Sequence, residues 1–426
     1  MHVSEEIVEQ ILSRLPPKSL MRFKCVCTLW CNLIKSPSFV AKHLSNSLRA
    51  SSSSSVSILF KHTVEKKVEN NDHAETGDDV ETLLSSLYLC NEIDDDFDDL
   101  VAEVLRVPPP MNQIIRSSDL RIAGHCDGIT CLKIFVGNVV LCNPAIKEFK
   151  LLPKSCLLLP NDNDEYKYLD CELRYYTEFL GFGYDPKGKD YKVVRFEVYE
   201  ESCYWFRAEV YTLGSNSWRE VETEYTYREF FVMSGYCDEQ MFFEGIYYWQ
   251  VYGDVGRCIL SFDMGDEIFN VISIPWEEIP DEYHVRLGEW KEAIALISCP
   301  TVPVVPQSFD IWVMNNSGNV KGSWTKCLTI GPMEGVEIPL LYAPLVFWKS
   351  DELLMVAEDG RVVSYNLEKQ TVKYLPIHFV GDYFHTQAVA YVNSIVSING
   401  GNKLEGIDNT DFYGINALGD GRLRAV

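Results

Sequence analysis

The chain has 426 residues, 46% of them hydrophobic, and its 62 acidic side chains outnumber 38 basic ones for a formal net charge of −24. Such length and apolar content bury a large core, whereas the negative field argues against nucleic acid or an anionic membrane as partner. With no run of about 18 apolar residues and no secretory leader, the expectation is a cytoplasmic protein whose 14 cysteines are reduced, buried hydrophobes instead of a disulfide framework.

The first elements are helical. Ile7, Val8, Ile11, Leu12 and Leu15 fall at helical spacing, with Ser4 as N-cap and Glu5 and Glu6 in the first turn. Pro16 and Pro17 end this helix. A second pattern runs from Leu20, Met21, Phe23 and Val26 through Leu29, Trp30, Leu33 and Ile34. Ser36 and Pro37 then read as cap and first residue of a helix carrying Phe39, Val40 and Leu44. Three or four short helices in about 45 residues cannot bury so many apolar positions among themselves, so part of that surface should meet another protein. Cys25, Cys27 and Cys31 lack the paired spacing of a zinc site and have only His43 nearby.

Charge is unevenly placed. Residues 1–50 carry seven basic and three acidic side chains, a net of +4 that leaves −28 for the remainder. Residues 61–103 hold 14 acidic side chains against three lysines, including Asp94, Asp95, Asp96, Asp98 and Asp99, without the spaced ligands and turn glycine of a calcium loop. An acidic field speeds encounter with a basic protein, and it also serves solubility alone.

Beyond residue 120 one pattern recurs five times: an apolar strand, a polar turn and a bulky apolar residue. Its anchors are Cys142, Tyr211, Phe262, Val313 and Tyr365, in steps of 69, 51, 51 and 52. In four copies the bulky residue follows its anchor by seven: Phe149, Trp218, Phe269 and Val372. Further strand-like runs separate the copies, at 128–135, 191–199, 244–252, 293–298 and 352–357. A period near 50 with about four strands per repeat suits a kelch-like β-propeller, whose blades must stack to bury both faces. Hairpins in a sandwich share the turn spacing and form the competing arrangement. The expected fold is therefore a small all-α module at 1–46, a linker with an acidic insertion and the first propeller strands at 47–103, an all-β propeller at 104–398, and a tail at 399–426. Val389 to Ile398 reads as the closing strand.

No catalytic residue, metal or cofactor is assigned. The eight histidines have no repeated placement such as a metal-dependent propeller enzyme requires. Gly181 and Gly183 read as part of a strand entering a hairpin, with no helix N-terminus after them. Insertions decorate a repeated frame, so 61–103 and 160–178 are the candidate cargo-contacting segments, with Asp94, Asp95, Asp96, Asp98, Asp99, Asp162, Asp164 and Glu165 as candidate target-binding residues. Tolerated loops are the other reading.

The helical segment resembles a plant F-box through Ile11-Leu12-Ser13-Arg14-Leu15-Pro16-Pro17-Lys18-Ser19-Leu20, Arg22-Phe23-Lys24-Cys25-Val26-Cys27, Trp30, Leu33-Ile34 and Ser36-Pro37-Ser38-Phe39. It departs from the pattern at Val3-Ser4, where Leu-Pro or Thr-Pro is usual, and at Thr28, usually basic. The resemblance implies docking on a Skp-type adaptor, which joins a cullin and a RING subunit in an SCF ubiquitin ligase. Val3, Ile7, Val8, Ile11, Leu12, Leu15, Pro16, Leu20, Val26 and Trp30 are the adaptor-binding residues so implied. Gly181 to Pro186, Asp190 to Arg195, Glu209 to Tyr211, Asn216 to Arg219, Ile259 to Asp263, Ile311 to Met314 and Ser323 to Lys326 resemble the plant F-box-associated propeller. The wording of Phe39 to Ser47, Ser155 to Pro160 and Gly265 to Phe269 is similar to the S-locus F-box proteins of pollen. That similarity implies a non-self S-RNase, typically basic, as the target in pollen tube cytosol; a receptor of the same build for an unrelated target remains the alternative.

Overall fold

A computed structural model describes residues 4–53, 55–65, 80–90, 101–105, 120–134, 138–157, 176–199, 206–222, 230–231, 240–253, 256–275, 277–280, 283–300, 308–315, 323–331, 344–349, 351–379 and 386–399. The chain opens with four helices: α1 (Glu5–Leu12), α2 (Pro17–Phe23), α3 (Thr28–Lys35) and α4 (Pro37–Ser53). Ser4 caps α1, its hydroxyl accepting from the Ile7 amide at 3.4 Å, and Pro17 supplies the preset φ of a first helical residue in α2. Ser36 Oγ accepts the Phe39 amide at 3.3 Å at the head of α4.

Six antiparallel sheets follow. Blade 1 joins β1 (Ser55–Glu65), β2 (Val80–Cys90) and β3 (Val101–Leu105) to the last strand, β25 (Gln387–Tyr391), in the order β25-β1-β2-β3. Blade 2 is β4 (Arg121–Cys126), β5 (Ile129–Ile134), β6 (Asn138–Asn143) and β7 (Glu148–Leu151). Blade 3 is β8 (Tyr176–Asp185), β9 (Asp190–Tyr199), β10 (Phe206–Thr212) and β11 (Ser217–Val221). In blade 4, β12 (Phe230–Phe231) and β13 (Gln240–Phe243) both pair with β14 (Ile246–Gly253), followed by β15 (Gly256–Asp263) and β16 (Phe269–Ser273). Blade 5 is β17 (Tyr283–Trp290), β18 (Ala293–Pro300), β19 (Phe309–Asn315) and β20 (Ser323–Ile330). Blade 6 is β21 (Pro344–Lys349), β22 (Glu352–Val356), β23 (Arg361–Asn366) and β24 (Thr371–His378). First strands touch first strands around the ring, β25 to β4 to β8 to β13 to β17 to β21 and back to β25.

The repeat acquires a geometric meaning in the register. Cys142 faces Phe149, Tyr211 faces Trp218, Phe262 faces Phe269 and Tyr365 faces Val372, so anchor and seventh residue are directly opposed across the third and fourth strands. The residue after the anchor closes the turn. Asn143, Asp263 and Asn366 each accept at least one following backbone amide through Oδ1. In blade 1 the third and fourth strands are separated by residues 91–100 in place of a short turn, which breaks the spacing and hid this copy. Residues 61–103 are thus no single insertion: the last five residues of β1, all of β2 and part of β3 lie within them. The closing strand is also shorter than 389–398, because the chain leaves the sheet after Tyr391.

Six apolar clusters fill the six seams between blades. In β6, Val139 and Leu141 join the cluster with blade 3 while Val140 and Cys142 join the cluster with blade 1. Side chains alternate across a strand, and both faces are buried here, so the sequence reads as one continuous apolar run. Gly181 and Gly183 belong to this packing. The rings of Tyr247 and Trp249 lie against bare backbone at Gly181, where an added Cβ would fall 2.6 Å from Trp249 Cζ2, and the ring of Phe242 does the same at Gly183.

Candidate adaptor-docking surface and its joint to the ring

The four helices share a small core of Leu12, Leu20, Ile34 and Phe39, with Val8, Leu15, Met21, Phe23, Trp30, Leu33 and Val40 at its edge. Phe23 and Trp30 meet edge to face at 5.5 Å. Helix α4 clasps the α1–α2 junction through polar contacts: Lys42 Nζ to Glu9 Oε1 at 2.9 Å, and Asn46 Nδ2 to both Ser13 O and Ser13 Oγ at 3.1 Å. His43 Nε2 stands 3.0 Å from the Leu15 carbonyl oxygen and must therefore carry the proton it donates. Its buried Nδ1 has no hydrogen-bond partner among the described residues, and burial holds the ring below its usual pKa.

This core sorts the candidate adaptor-binding residues into two sets. Ile7 (50%), Ile11 (55%) and Val26 (60%) are exposed, as is Pro16; Val8, Leu15 and Trp30 are half-buried. Leu12 and Leu20 are instead enclosed at 3% and 0%, so they support the surface from beneath and are not free to contact an adaptor. The burial follows from helical geometry: with so few residues, one stripe of each helix must turn inward to make any core. Val3 lies outside the described residues. Leu29, 53% exposed, joins the outward set; its place in the same apolar pattern was visible, but periodicity alone did not distinguish its side. Five of the eight large hydrophobics exposed among the described residues are Ile7, Ile11, Val26, Leu29 and Leu48, which concentrates apolar exposure on the helices. Cys25 and Cys27 are exposed free thiols, and no metal-competent group of three His, Cys, Asp or Glu occurs among the described residues.

The helices are seated on the ring by the segment after β25. Asn143, at the end of β6, donates through Nδ2 to Val396 O at 2.8 Å and to Ser394 O at 3.2 Å, and Ser394 Oγ donates to Asp127 O at 2.5 Å. Glu148 Oε2 on β7 accepts from Ser397 Oγ at 2.8 Å and the Ile398 amide at 2.9 Å. Burial pulls the Lys24 ammonium down against the opposing attraction of this same Glu148. Val396 and Ile398 enter the seam between blades 2 and 3, whereas Ile395 enters the helical core. Val40 and Leu44 of α4 also pack on the blade 2–3 cluster.

Strand direction then assigns the faces. The helices sit where β4 ends and where β6 turns into β7, so first-to-second and third-to-fourth connections open on the helical side. The chain passes between blades on the opposite side.

Comparison with known proteins agrees with this architecture. A model described as F-box associated beta propeller domain matches residues 84–398, and an F-box domain model matches residues 2–42. The chain belongs to the F-box-associated β-propeller family. This F-box protein is 25% identical over 396 residues to the F-box protein CPR1 of Arabidopsis thaliana, spanning 87% of the chain and 84% of that relative. It is 24% identical to an F-box/kelch-repeat protein of the same plant, over 83% and 84% of the two chains. A solved oligogalacturonate lyase from Vibrio parahaemolyticus overlays with a TM-score of 0.36 at 10% identity, covering 69% of this chain and 74% of the lyase, which carries no functional argument.

The candidate target-binding residues of this F-box protein, Asp94, Asp95, Asp96, Asp98, Asp99, Asp162, Asp164 and Glu165, all lie outside the described residues. The strands that flank them diverge. β2 ends and β3 begins on the F-box side, whereas β7 ends and β8 begins on the far side. The two acidic groups, taken together from sequence, are therefore entered from opposite faces of the ring.

The most heavily charged interior position serves the frame. Arg195 is fully buried, with Nε 3.1 Å from Glu178 Oε1 and Nη2 2.8 Å from Glu197 Oε1. Lys133 Nζ is 3.1 Å from Glu178 Oε2, which ties blade 2 to blade 3. Glu209 Oε2 accepts from the Cys156 amide at 2.9 Å and pins the start of the long connection between those blades to β10.

Proposed function

We propose that this F-box protein is the substrate receptor of an SCF-type ubiquitin ligase, in which the helices bind a Skp-type adaptor that brings cullin and RING subunits and the ring captures a target protein. The observation that carries the reading is the exposed apolar set Ile7, Ile11, Val26 and Leu29 on a module seated on a six-bladed ring. Exposed apolar side chains on a soluble fold favour a protein partner, and a firm joint favours a receptor that holds cargo at a set distance from the adaptor. Such a receptor acts by position: it raises the effective concentration of a target lysine near the charged conjugating enzyme and needs no active site.

The target we infer is a basic protein, an S-RNase encountered in pollen tube cytosol. Support comes from the −28 charge outside the first fifty residues and from the wording shared with S-locus F-box proteins. Affinity purification of the full chain from pollen tubes, with identification of co-purifying proteins, tests both levels. A Skp-type adaptor together with a ribonuclease is expected. Adaptor with a different cargo would keep the receptor and replace its target; absence of adaptor would remove the receptor reading.

A further inference from the structure

We propose that residues 392–398 are a completion strap: the F-box reaches its adaptor-competent fold only after the last strand has closed the ring and Ile395 has entered the helical core. The inference rests on the receptor reading above, since adaptor binding is one of its readouts.

The helical module is short of core. Among the described residues, Leu12, Leu20, Ile34 and Phe39 are the aliphatic and aromatic side chains of its own that the helical cluster fully encloses, and the fifth enclosed member of the cluster is Ile395, 4% exposed and some 340 residues beyond the end of α4. A module of about fifty residues gains little from four buried side chains against the entropy of ordering its chain, so one further enclosed aliphatic is a large fraction of its stability. The position of Ile395 is dictated by the ring. Its neighbours Ser394, Val396, Ser397 and Ile398 are bonded to Asn143, Asp127 and Glu148 of blade 2 and its margins. Gly128 has φ +83°, and a Cβ there would lie 2.5 Å from Ser394 Oγ and collide with the Val392 carbonyl, so the strap runs over bare backbone at that turn. Immediately upstream, β25 pairs with β1 from Ser57↔Tyr391 to Lys61↔Gln387, the pairing that closes the ring.

Ring closure and F-box completion are therefore one structural event, and synthesis order gives that event a consequence. The F-box is made before the propeller strands and Ile395 after them. A chain whose ring is unfinished or misclosed presents an F-box lacking one core side chain, with a reduced population of the form that offers Ile7, Ile11, Val26 and Leu29 in fixed relation. The adaptor is thereby reserved for receptors with a complete cargo-holding ring. Coupling of this kind is reciprocal, so adaptor binding should in turn protect the strap.

The test uses the full chain with a purified plant Skp-type adaptor. Affinity is measured by titration for the unaltered chain, for Ile395→Ser, for Asn143→Ala, and for a chain ending after Tyr391 with and without a peptide of residues 392–399. Hydrogen exchange of α1–α3 and of blade 5 is followed in parallel without adaptor. Expected results are about tenfold or greater weakening for Ile395→Ser and for the shortened chain, a smaller loss for Asn143→Ala, partial restoration by the peptide, and faster exchange in α1–α3 with blade 5 unchanged. Ile395→Ser binding within about twofold of the unaltered chain, with unchanged α1–α3 exchange, would overturn the strap. Should the shortened chain lose its ring, the two point variants decide. If the unaltered chain fails to bind the adaptor, the receptor reading falls, and the exchange comparison still judges the strap by itself.

Discussion

Replacing Ile11 by aspartate should sever adaptor binding while leaving the fold in place, and Leu20→Asp should do the reverse in mechanism by dismantling the module. Ile11 is 55% exposed in the last turn of α1. In the free chain the change therefore forfeits little packing, and its main costs are weaker helix propensity and an anion near a helix C-terminus, together about 1 kcal/mol or less. In the complex the exposed half of the isoleucine would be buried, worth about 1 kcal/mol, and the aspartate would have to shed water in an apolar contact for about 2 kcal/mol or more. The sum, about 3 kcal/mol, predicts adaptor affinity weakened by roughly a hundredfold or more. Leu20 is fully enclosed, so an aspartate there costs the lost leucine, about 2–5 kcal/mol, plus the unpaired charge. Titration calorimetry with the adaptor, paired with thermal melts and helical circular dichroism, separates the two routes. Ile11→Asp binding within about threefold of the unaltered chain, with its fold intact, would refute the assignment of this face to the adaptor.

Gly128→Ala places a side chain at φ +83° against the Val392 carbonyl and should destabilise the chain by about 2 kcal/mol or more in denaturant unfolding. An effect below about 0.5 kcal/mol would mean that the strap yields freely at that point. Acidification should weaken the ring through His125, whose pKa burial lowers to about 4. Because the folded value lies below the unfolded one near 6.5, its stabilising contribution is present above pH 6.5 and is lost as pH falls toward 4. Allowing for the partial exposure of the residue, about 1–2 kcal/mol should disappear between pH 7 and 5, and His125→Gln should flatten that limb of the stability curve. Neutralising Asp162, Asp164 and Glu165 to amides should slow association with a basic target at low salt more than neutralising Asp94, Asp95, Asp96, Asp98 and Asp99, since only the strand ends that flank the former lie on the side away from the F-box. Equal effects from both groups in stopped-flow association would set aside the far face as the cargo side.

What the sequence determined was whatever is decided within about ten residues of chain. The cap at Ser4, the seven-residue spacing from Cys142 to Phe149 and its repeats, and the Asn and Asp turn residues act through local geometry and stand in the structure as the pattern required, whereas α1 ends at Leu12, ahead of Pro16 and Pro17, and Pro17 instead opens α2. The helical module and the propeller were legible for that reason. The blade 1 copy of the repeat was not, although propeller strands were expected within 47–103 and a closing strand from Val389, because its third and fourth strands are separated by a long connection and its first strand, β25, comes from the far end of the chain. Tertiary structure also decided which apolar residues of α1 and α2 face outward: Ile11 and Leu12 are adjacent in one periodic pattern, yet one is open and the other enclosed. That division follows from which stripe of each short helix turns inward to the shared core, and the entry of Ile395 into that core joins parts of the chain more than 300 residues apart; burial is a property of the assembled neighbours that no local period contains.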